Sequence, residues 1–103
     1  MSYTPHVMKL EEKDKNSRAP KLFSALQNPI RLKILEILSE TKRPLHIAAV
    51  SRQLAIDYAA LYTHVEILQE TGLLEVFDVG RSRVLTIARP DALKRLLMAT
   101  EAL

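Results

Sequence analysis

The side chains of this sequence that could take part in chemistry are cations, hydroxyl groups and isolated histidines. There is no cysteine, which excludes disulfides, thiolate nucleophiles and thiolate metal sites. The three histidines, His6, His46 and His64, are far apart in the chain. No glycine-rich phosphate loop is present. The nucleophile–base pairs and ligand clusters of catalytic and metal sites are therefore missing. We expect no enzymatic activity, no metal ion and no cofactor.

The cations favour contacts with phosphate oxygens, but their distribution is uneven. Residues 53–80 contain no lysine or arginine, although the chain carries 15 of these residues against 12 acids. Phosphate contacts must therefore come from outside that stretch. The candidates are Lys42, Arg43, Arg52, Arg81 and Arg83. A solvated surface charge is the alternative for each, and it is weakest for Arg81, which is expected at a hairpin tip.

A helix predicted from Asp57 to Thr71 would present the hydroxyl groups. Its apolar residues Leu61, Val65 and Leu68 have helical spacing and should face the core. The outward residues are then Tyr58, Ala59, Tyr62, Thr63 and Glu66. Tyrosine and threonine can contact base edges, thymine methyls or phosphates, and alanine permits close approach. A packed helix face or a protein interface is the alternative for the tyrosines. Without an arginine, this helix cannot make the bidentate contact to guanine, so any recognition of a duplex should be modest and should rely partly on duplex shape.

Both glycines of the chain mark the predicted ends of elements. Gly72 follows the helical run at 61–71, and Gly80 separates alternating apolar runs at 74–79 and 83–88. A left-handed residue after a helix and a tight hairpin turn both favour glycine. The hairpin turn is predicted at residues 80–82. A helix, a glycine stop and an arginine-tipped hairpin form the outline of a winged helix, which points to DNA.

The remaining apolar periodicity predicts four more helices. One follows Pro20, one runs from Pro29 to about Thr41, one covers residues 46–55, and one begins at residues 89–91. His46 is expected either to cap the third of these helices in chain order or to face solvent. The short join before Asp57 makes a helix-turn-helix. The fold class is therefore mainly α with a small β-hairpin: a winged helix-turn-helix of about five helices plus a two-stranded wing. The organisation comprises a polar N-terminal arm (1–18), the DNA-binding domain (19–89) and a C-terminal dimerisation helix (90–103).

Two leucine-rich stripes suggest a homodimer, because a chain of 103 residues has a modest core. The predicted interface residues are Leu22, Phe23, Leu26, Leu93, Leu96, Leu97 and Leu103. Packing within a single chain is the alternative. No apolar run is long enough to span a bilayer and no signal segment is apparent, so we expect a cytoplasmic protein with no membrane partner.

Two further side chains, Arg31 and His64, have structural interpretations. Arg31 could pair with Glu36 or Asp78 rather than bind a ligand. His64 lies beside the core face of its helix, where a semi-buried, hydrogen-bonded histidine is more common than a base contact.

Together these motifs resemble the ArsR-like winged helix-turn-helix transcriptional regulators of bacteria and archaea. The resemblance is carried by residues 26–35, with Asn28 where the family has aspartate, by 61–68 and 71–74, and by the wing turn at 80–82. It implies a homodimer that joins through its first and last helices and places two copies of the fourth helix in successive major-groove segments. The cysteines of metal-sensing relatives are absent here, so no transition metal is expected. The shortage of asparagine and cysteine favours an archaeal source.

The sequence therefore predicts a dimeric, sequence-specific regulator that binds double-stranded DNA, with repression as the family's habit. Two alternatives remain open at this stage. One is a winged-helix protein-interaction module, favoured by the cation-free stretch and the exposed tyrosines. The other is a regulator that responds to a small ligand at the dimer seam.

Overall fold

The computed structural model describes residues 18–103, which form five helices and one three-stranded antiparallel sheet. In chain order the elements are α1 (Ala19–Leu26), α2 (Pro29–Thr41), β1 (Leu45–His46), α3 (Ile47–Leu54), α4 (Tyr58–Glu70), β2 (Leu74–Val79), β3 (Ser82–Ile87) and α5 (Pro90–Ala102). The mainly α winged helix-turn-helix is confirmed. The predicted polar arm at 1–18 lies outside the described residues except for its last position.

The helix starts follow the local sequence signals. Pro20 is in the first turn of α1, and Pro29 opens α2, where a missing backbone N–H costs nothing. The Asn28 side chain caps α2 by accepting hydrogen bonds from the backbone N–H of Ile30 at 2.9 Å and of Arg31 at 3.2 Å. Asp57 caps α4 in the same way, as expected for a short acidic side chain at this position.

The predicted two-stranded wing is confirmed as the β2–β3 hairpin, and a short third strand that was not predicted joins it. The strand order is β1-β3-β2, and β1 pairs Leu45 with Leu85 and His46 with Val84. A two-residue strand is too short to show alternation in sequence, and its partner is about forty positions away. His46 occupies the N-cap position of α3, as predicted, but its side chain makes no capping hydrogen bond. Its backbone belongs to the sheet instead.

The hairpin turn is one residue shorter than predicted. Val79 pairs with Ser82, so only Gly80 and Arg81 lie between the strands. Gly80 has a φ of +62°, which suits the two-residue turns that match the twist of a hairpin. Ser82 is therefore the first residue of β3, and Arg81 is at the tip.

Left-handed backbone also occurs at two residues that are not glycine. Gly72 has a φ of +78°, as predicted, but Lys42 and Ala55 have values of +58° and +55°. Lys42 ends α2, and Ala55 ends α3 at the turn of the helix-turn-helix. Ala55 and Ile56 donate backbone hydrogen bonds to the carbonyls of Arg52 and Ser51, which satisfies the end of α3. These hydrogen bonds offset the strain of the left-handed alanine.

One apolar core unites the helices and the sheet. Its fully buried large side chains are Ile34, Leu35, Ile47, Val50, Leu61, Val65, Leu68, Leu74 and Leu85. Burying each such side chain stabilises the fold by roughly 1.5–3 kcal/mol. Leu93 of α5 is only 3% exposed and belongs to the same cluster, so α5 is anchored to the core of its own chain.

Replacing Asn28 by alanine should lower the free energy of unfolding by about 1 kcal/mol, because the first backbone N–H groups of α2 lose their acceptor. Urea denaturation monitored by far-ultraviolet circular dichroism measures this loss. Asn28→Ser is the matched control, since serine also caps helices and should retain most of the stability. Equal losses in the two variants would show that capping is not the reason for asparagine here.

Candidate nucleic-acid interface

The N-terminal half of α4 presents an exposed polar face. Leu61, Val65 and Leu68 are buried beneath it, which confirms the predicted inward stripe. Tyr58, Ala59, Thr63 and Glu66 are exposed, as expected. The Thr63 hydroxyl donates to the Ala59 carbonyl at 3.2 Å. Its oxygen lone pairs can therefore still accept a hydrogen bond from a base edge.

Tyr62 departs from the predicted exposure. It is half-buried and packs against the hydrophobic core. The guanidinium carbon of Arg83, on β3, lies 4.6 Å from the centroid of the Tyr62 ring, which is a cation–π contact. One face of the ring is therefore covered by the chain's own wing. Tyr62 links α4 to the wing, and Tyr58 is the freer tyrosine, with 44% of its surface exposed.

The two wing arginines have different surroundings. Arg81 is exposed in the two-residue turn. The Arg83 Nε atom lies 3.8 Å from Oδ1 of Asp78, in addition to its contact with Tyr62. Arg81 therefore projects from the tip of the wing, whereas Arg83 is held against Tyr62 in the N-terminal half of α4.

The other predicted phosphate contacts divide between two regions. Arg52 is exposed in the last turn of α3, next to the turn that leads into α4. Lys42 and Arg43 are exposed too, but they line a cavity of about 680 Å³ formed with α5 residues such as Lys94 and Met98. No α4 residue lines that cavity. The structure thus keeps Arg52 exposed next to the turn that leads into α4 and places Lys42 and Arg43 beside α5.

Arg31 is a structural residue, although both of its predicted partners are wrong. Its Nε donates to the Ala25 carbonyl at 2.6 Å, and its Nη1 lies 3.2 Å from Nδ1 of His64. Glu36 pairs instead with Lys33 at 3.4 Å, and Asp78 pairs with Arg83. Arg31 therefore joins the end of α1 to the middle of α4.

His64 is half-buried, in agreement with its structural interpretation. Burial lowers the pKa of its imidazole from the ordinary value of 6.5, and the positive charge of Arg31 lowers it further. Because Arg31 donates to Nδ1, the neutral ring must carry its proton on Nε2. Protonating Nδ1 would remove this acceptor and place two positive charges side by side.

The sequence did not indicate that Arg18 would interact with the C-terminal end of α4. The Arg18 guanidinium donates to the Thr71 carbonyl, where a cation is favoured by the helix dipole. A Cβ atom added to Gly72 would lie 3.2 Å from Nη2 of Arg18. The space beside this glycine is therefore used by a side chain that is distant in sequence.

The predicted dimer residues are only partly available at the surface. Phe23 is 59% exposed and Leu103 is fully exposed. Leu22, Leu26, Leu96 and Leu97 are half-buried. Leu93 contradicts the prediction, because it is enclosed in the core of its own chain. Met98, which is 64% exposed on α5, was not anticipated.

Within residues 18–103, no three histidine, aspartate or glutamate side chains lie close enough together to hold a metal ion. Over the same range, none of the helices combines the length and apolar character needed to traverse a bilayer.

Comparison with known proteins agrees with this architecture. A family model described as a helix-turn-helix domain matches residues 26–76. A relative from Methanocaldococcus jannaschii, the uncharacterized HTH-type transcriptional regulator MJ0229, is 38% identical over 55 residues. That match covers 53% of this chain and 56% of the relative, so it spans little more than half of either protein.

Solved structures extend the similarity beyond the matched segment. Reduced HlyU from Vibrio cholerae is 25% identical, with a TM-score of 0.70 over 87% of this chain and 95% of that one. Mb0332 from Mycobacterium bovis, a homodimeric winged helix-turn-helix domain and possible ArsR-family regulator, is 21% identical. Its TM-score is 0.72, with 82% of this chain and 79% of that chain covered. The chain therefore contains a helix-turn-helix domain and has the fold of ArsR-type winged-helix regulators, as the sequence motifs indicated.

The lowered pKa of His64 predicts a pH-dependent stability. Below the ordinary pKa of 6.5 the unfolded chain binds a proton at this site more readily than the folded chain does. The free energy of unfolding should therefore fall as the pH drops from 6.5 towards the lower folded-state pKa. Urea denaturation at several values between about pH 5 and pH 8 measures this slope.

His64→Gln should reduce that slope, because the titrating group is gone. His46→Gln is the matched control, since it removes an exposed histidine on β1 that makes no capping hydrogen bond. If the two variants retain the same pH dependence as the wild-type chain, the Arg31–His64 contact does not contribute to it.

Proposed function

We propose that this chain, built around a winged helix-turn-helix domain, is a dimeric transcriptional repressor that binds specific sequences in double-stranded DNA. The observation that carries this proposal is the exposed N-terminal half of α4 beside a wing tipped by Arg81. Residues at the start of such a helix reach base edges in the major groove. The wing extends the contact to the neighbouring backbone. In this view the protein acts in the cytoplasm, without catalysis and without a metal cofactor.

The polar residues of α4 supply the sequence readout. Tyr58 and Thr63 offer hydroxyl groups, and Ala59 leaves room for close approach to a thymine methyl. Glu66 places a negative charge further along the same exposed face, which disfavours nearby phosphates. We infer that only the first two turns of α4 enter the groove.

Arginines on either side of α4 supply the phosphate contacts. Arg52 precedes the helix, and Arg81 and Arg83 follow it on the wing. Arginine binds phosphate oxygens through its fixed fork of N–H donors. Because these arginines lie outside α4, the affinity for the DNA backbone and the preference for a base sequence depend on different residues. Mutations can therefore separate the two properties.

The dimer follows from the apolar residues left exposed on α1 and α5. Phe23 on α1 and Met98 on α5 are largely exposed, and exposed apolar side chains on a helix surface favour a protein interface. A twofold dimer would present two α4 helices about 34 Å apart, one turn of B-form DNA. The homodimeric state of the Mb0332 domain supports this assembly.

A protein-interaction module is the second candidate function. The exposed Tyr58 and the lack of lysine and arginine across residues 53–80 favour it. Such a module should show no affinity for random duplex DNA even at low salt. Fluorescence anisotropy with a labelled random duplex distinguishes the two functions, because a DNA-binding domain retains non-specific affinity under those conditions.

Arg81→Ala should weaken binding to every duplex and reduce the slope of log Kd against log salt by about one, because one phosphate contact is lost. Lys33→Ala removes one positive charge from α2 and is the charge-matched control, which should change the slope little. Anisotropy titrations at several salt concentrations measure both slopes. Equal changes in the two variants would assign the effect to net charge rather than to the wing tip.

Thr63→Ala should instead reduce the preference for a selected site, obtained by iterative selection from a random duplex pool. The expected loss of discrimination is roughly 1–3 kcal/mol, with non-specific affinity nearly unchanged. Equal losses on selected and random DNA would contradict a base-reading role for this face of α4.

Replacing Phe23 or Met98 by glutamate should weaken dimerisation at least tenfold, or about 1.4 kcal/mol, because a charge is buried in an apolar seam. Sedimentation equilibrium measures the association. Phe77→Glu is the matched control, since Phe77 is an exposed aromatic residue on β2, away from α1 and α5. A dimer that persists unchanged in both test variants would exclude α1 and α5 as the seam.

A further inference from the structure

An acidic residue of the wing can compete with DNA phosphates for one of the wing arginines. We propose that the carboxylate of Asp78 forms an ion pair with the Arg83 guanidinium in the free protein, and that a DNA phosphate displaces the carboxylate when DNA binds. Asp78 thereby limits binding that depends on phosphate contacts alone. This inference rests on the proposed DNA-binding function and names the residue that controls one of its contacts.

The sheet register fixes the pair. Asp78 on β2 lies directly opposite Arg83 on β3 in the antiparallel ladder. Directly opposed residues project from the same face of a sheet, with their Cβ atoms about 5 Å apart. The 3.8 Å separation between Oδ1 and Nε therefore follows from the fold of the hairpin. An acid at position 78 is always within reach of the arginine.

The exposure of the two groups makes the exchange possible. The side chain of Asp78 is 83% exposed and that of Arg83 is 43% exposed. An ion pair with this exposure and this separation is weak, because water solvates both charges. A phosphate that arrives beside the wing can replace the carboxylate without opening the core.

Tyr62 holds the guanidinium in place during the exchange. The ring of Tyr62 contacts Arg83 at 4.6 Å, and α4 fixes that ring through its packing against the core. Stacking uses the flat face of a guanidinium, whereas its N–H donors lie in the plane of the group. Arg83 can therefore stay stacked while its donors pass from the carboxylate to a phosphate. The wing and the reading helix remain joined in both states.

The consequence is a wing in which Arg83 is paired with an acid until DNA binds. Of the two wing arginines, Arg81 is at the open tip and Arg83 faces an acid. Non-specific affinity depends on the number of phosphates neutralised, so Asp78 lowers affinity for all sequences. The contacts made by α4 then account for a larger share of binding.

The test compares two isosteric neutralisations on β2. Asp78→Asn should tighten binding to a random duplex by roughly three- to tenfold at low salt and steepen the salt slope by up to about one. Glu75→Gln removes the same charge from the same strand, opposite Thr86 and on the other face of the sheet, and should change affinity less than about twofold. Equal gains in the two variants would overturn the proposal.

A double-mutant cycle isolates the contribution of Arg83. In an Arg83→Ala background, and in Arg83→Gln beside it, the gain from Asp78→Asn should shrink to that of Glu75→Gln. A gain that persists without Arg83 would show that Asp78 acts by general repulsion and would overturn the inference. Thermal melts confirm that each variant is folded.

The failure of this inference is distinct from that of the proposed function. If the wild-type chain binds no duplex at low salt, the DNA-binding proposal fails and this inference fails with it. If the wild-type chain binds but Asp78→Asn behaves like Glu75→Gln, only the role of Asp78 is lost.

Discussion

The burial of one stripe of α4 is the constraint on which the rest of the structure depends. Leu61, Val65 and Leu68 are removed from water entirely, and turning the helix would expose all three at a cost of several kcal/mol. The rotation of α4 about its axis is therefore fixed by hydrophobic burial. Its polar face points outward as a consequence. Because the residues on that face are not needed for core packing, their side chains can be chosen for binding.

The arginines around α4 divide into those that donate to backbone carbonyls and those that face solvent without such a bond, although nothing in their chemistry distinguishes them. Arg31 and Arg18 donate to backbone carbonyls, and Arg31 also contacts His64. Those two fasten the middle and the far end of α4. Arg52, which precedes α4 in the chain, and Arg81, which follows it, remain exposed. The helix is thus fastened by cations from other parts of the chain, while it carries no lysine or arginine itself.

Arg83 belongs to neither group, and it connects the two halves of the interface. Its contact with Tyr62 ties the wing to α4, and its contact with Asp78 balances its charge. A wing attached only through the hairpin could change its angle relative to the helix. The stacked guanidinium resists that motion, since both partners belong to elements that pack against the core. Helix and wing can therefore act as one surface of defined shape.

Local signals in the sequence determined the elements of this protein. Proline and asparagine set the start of α2, Gly72 and Gly80 marked a helix end and a turn, and apolar periodicity gave the inward face of α4. Each of these depends on residues within a few positions of one another. Tertiary structure alone decided the third strand, the left-handed Ala55, the burial of Leu93 and the partners of Arg31 and Arg83. Those features join segments that are distant in the chain or depend on close packing, and a linear pattern carries no record of which distant groups will meet.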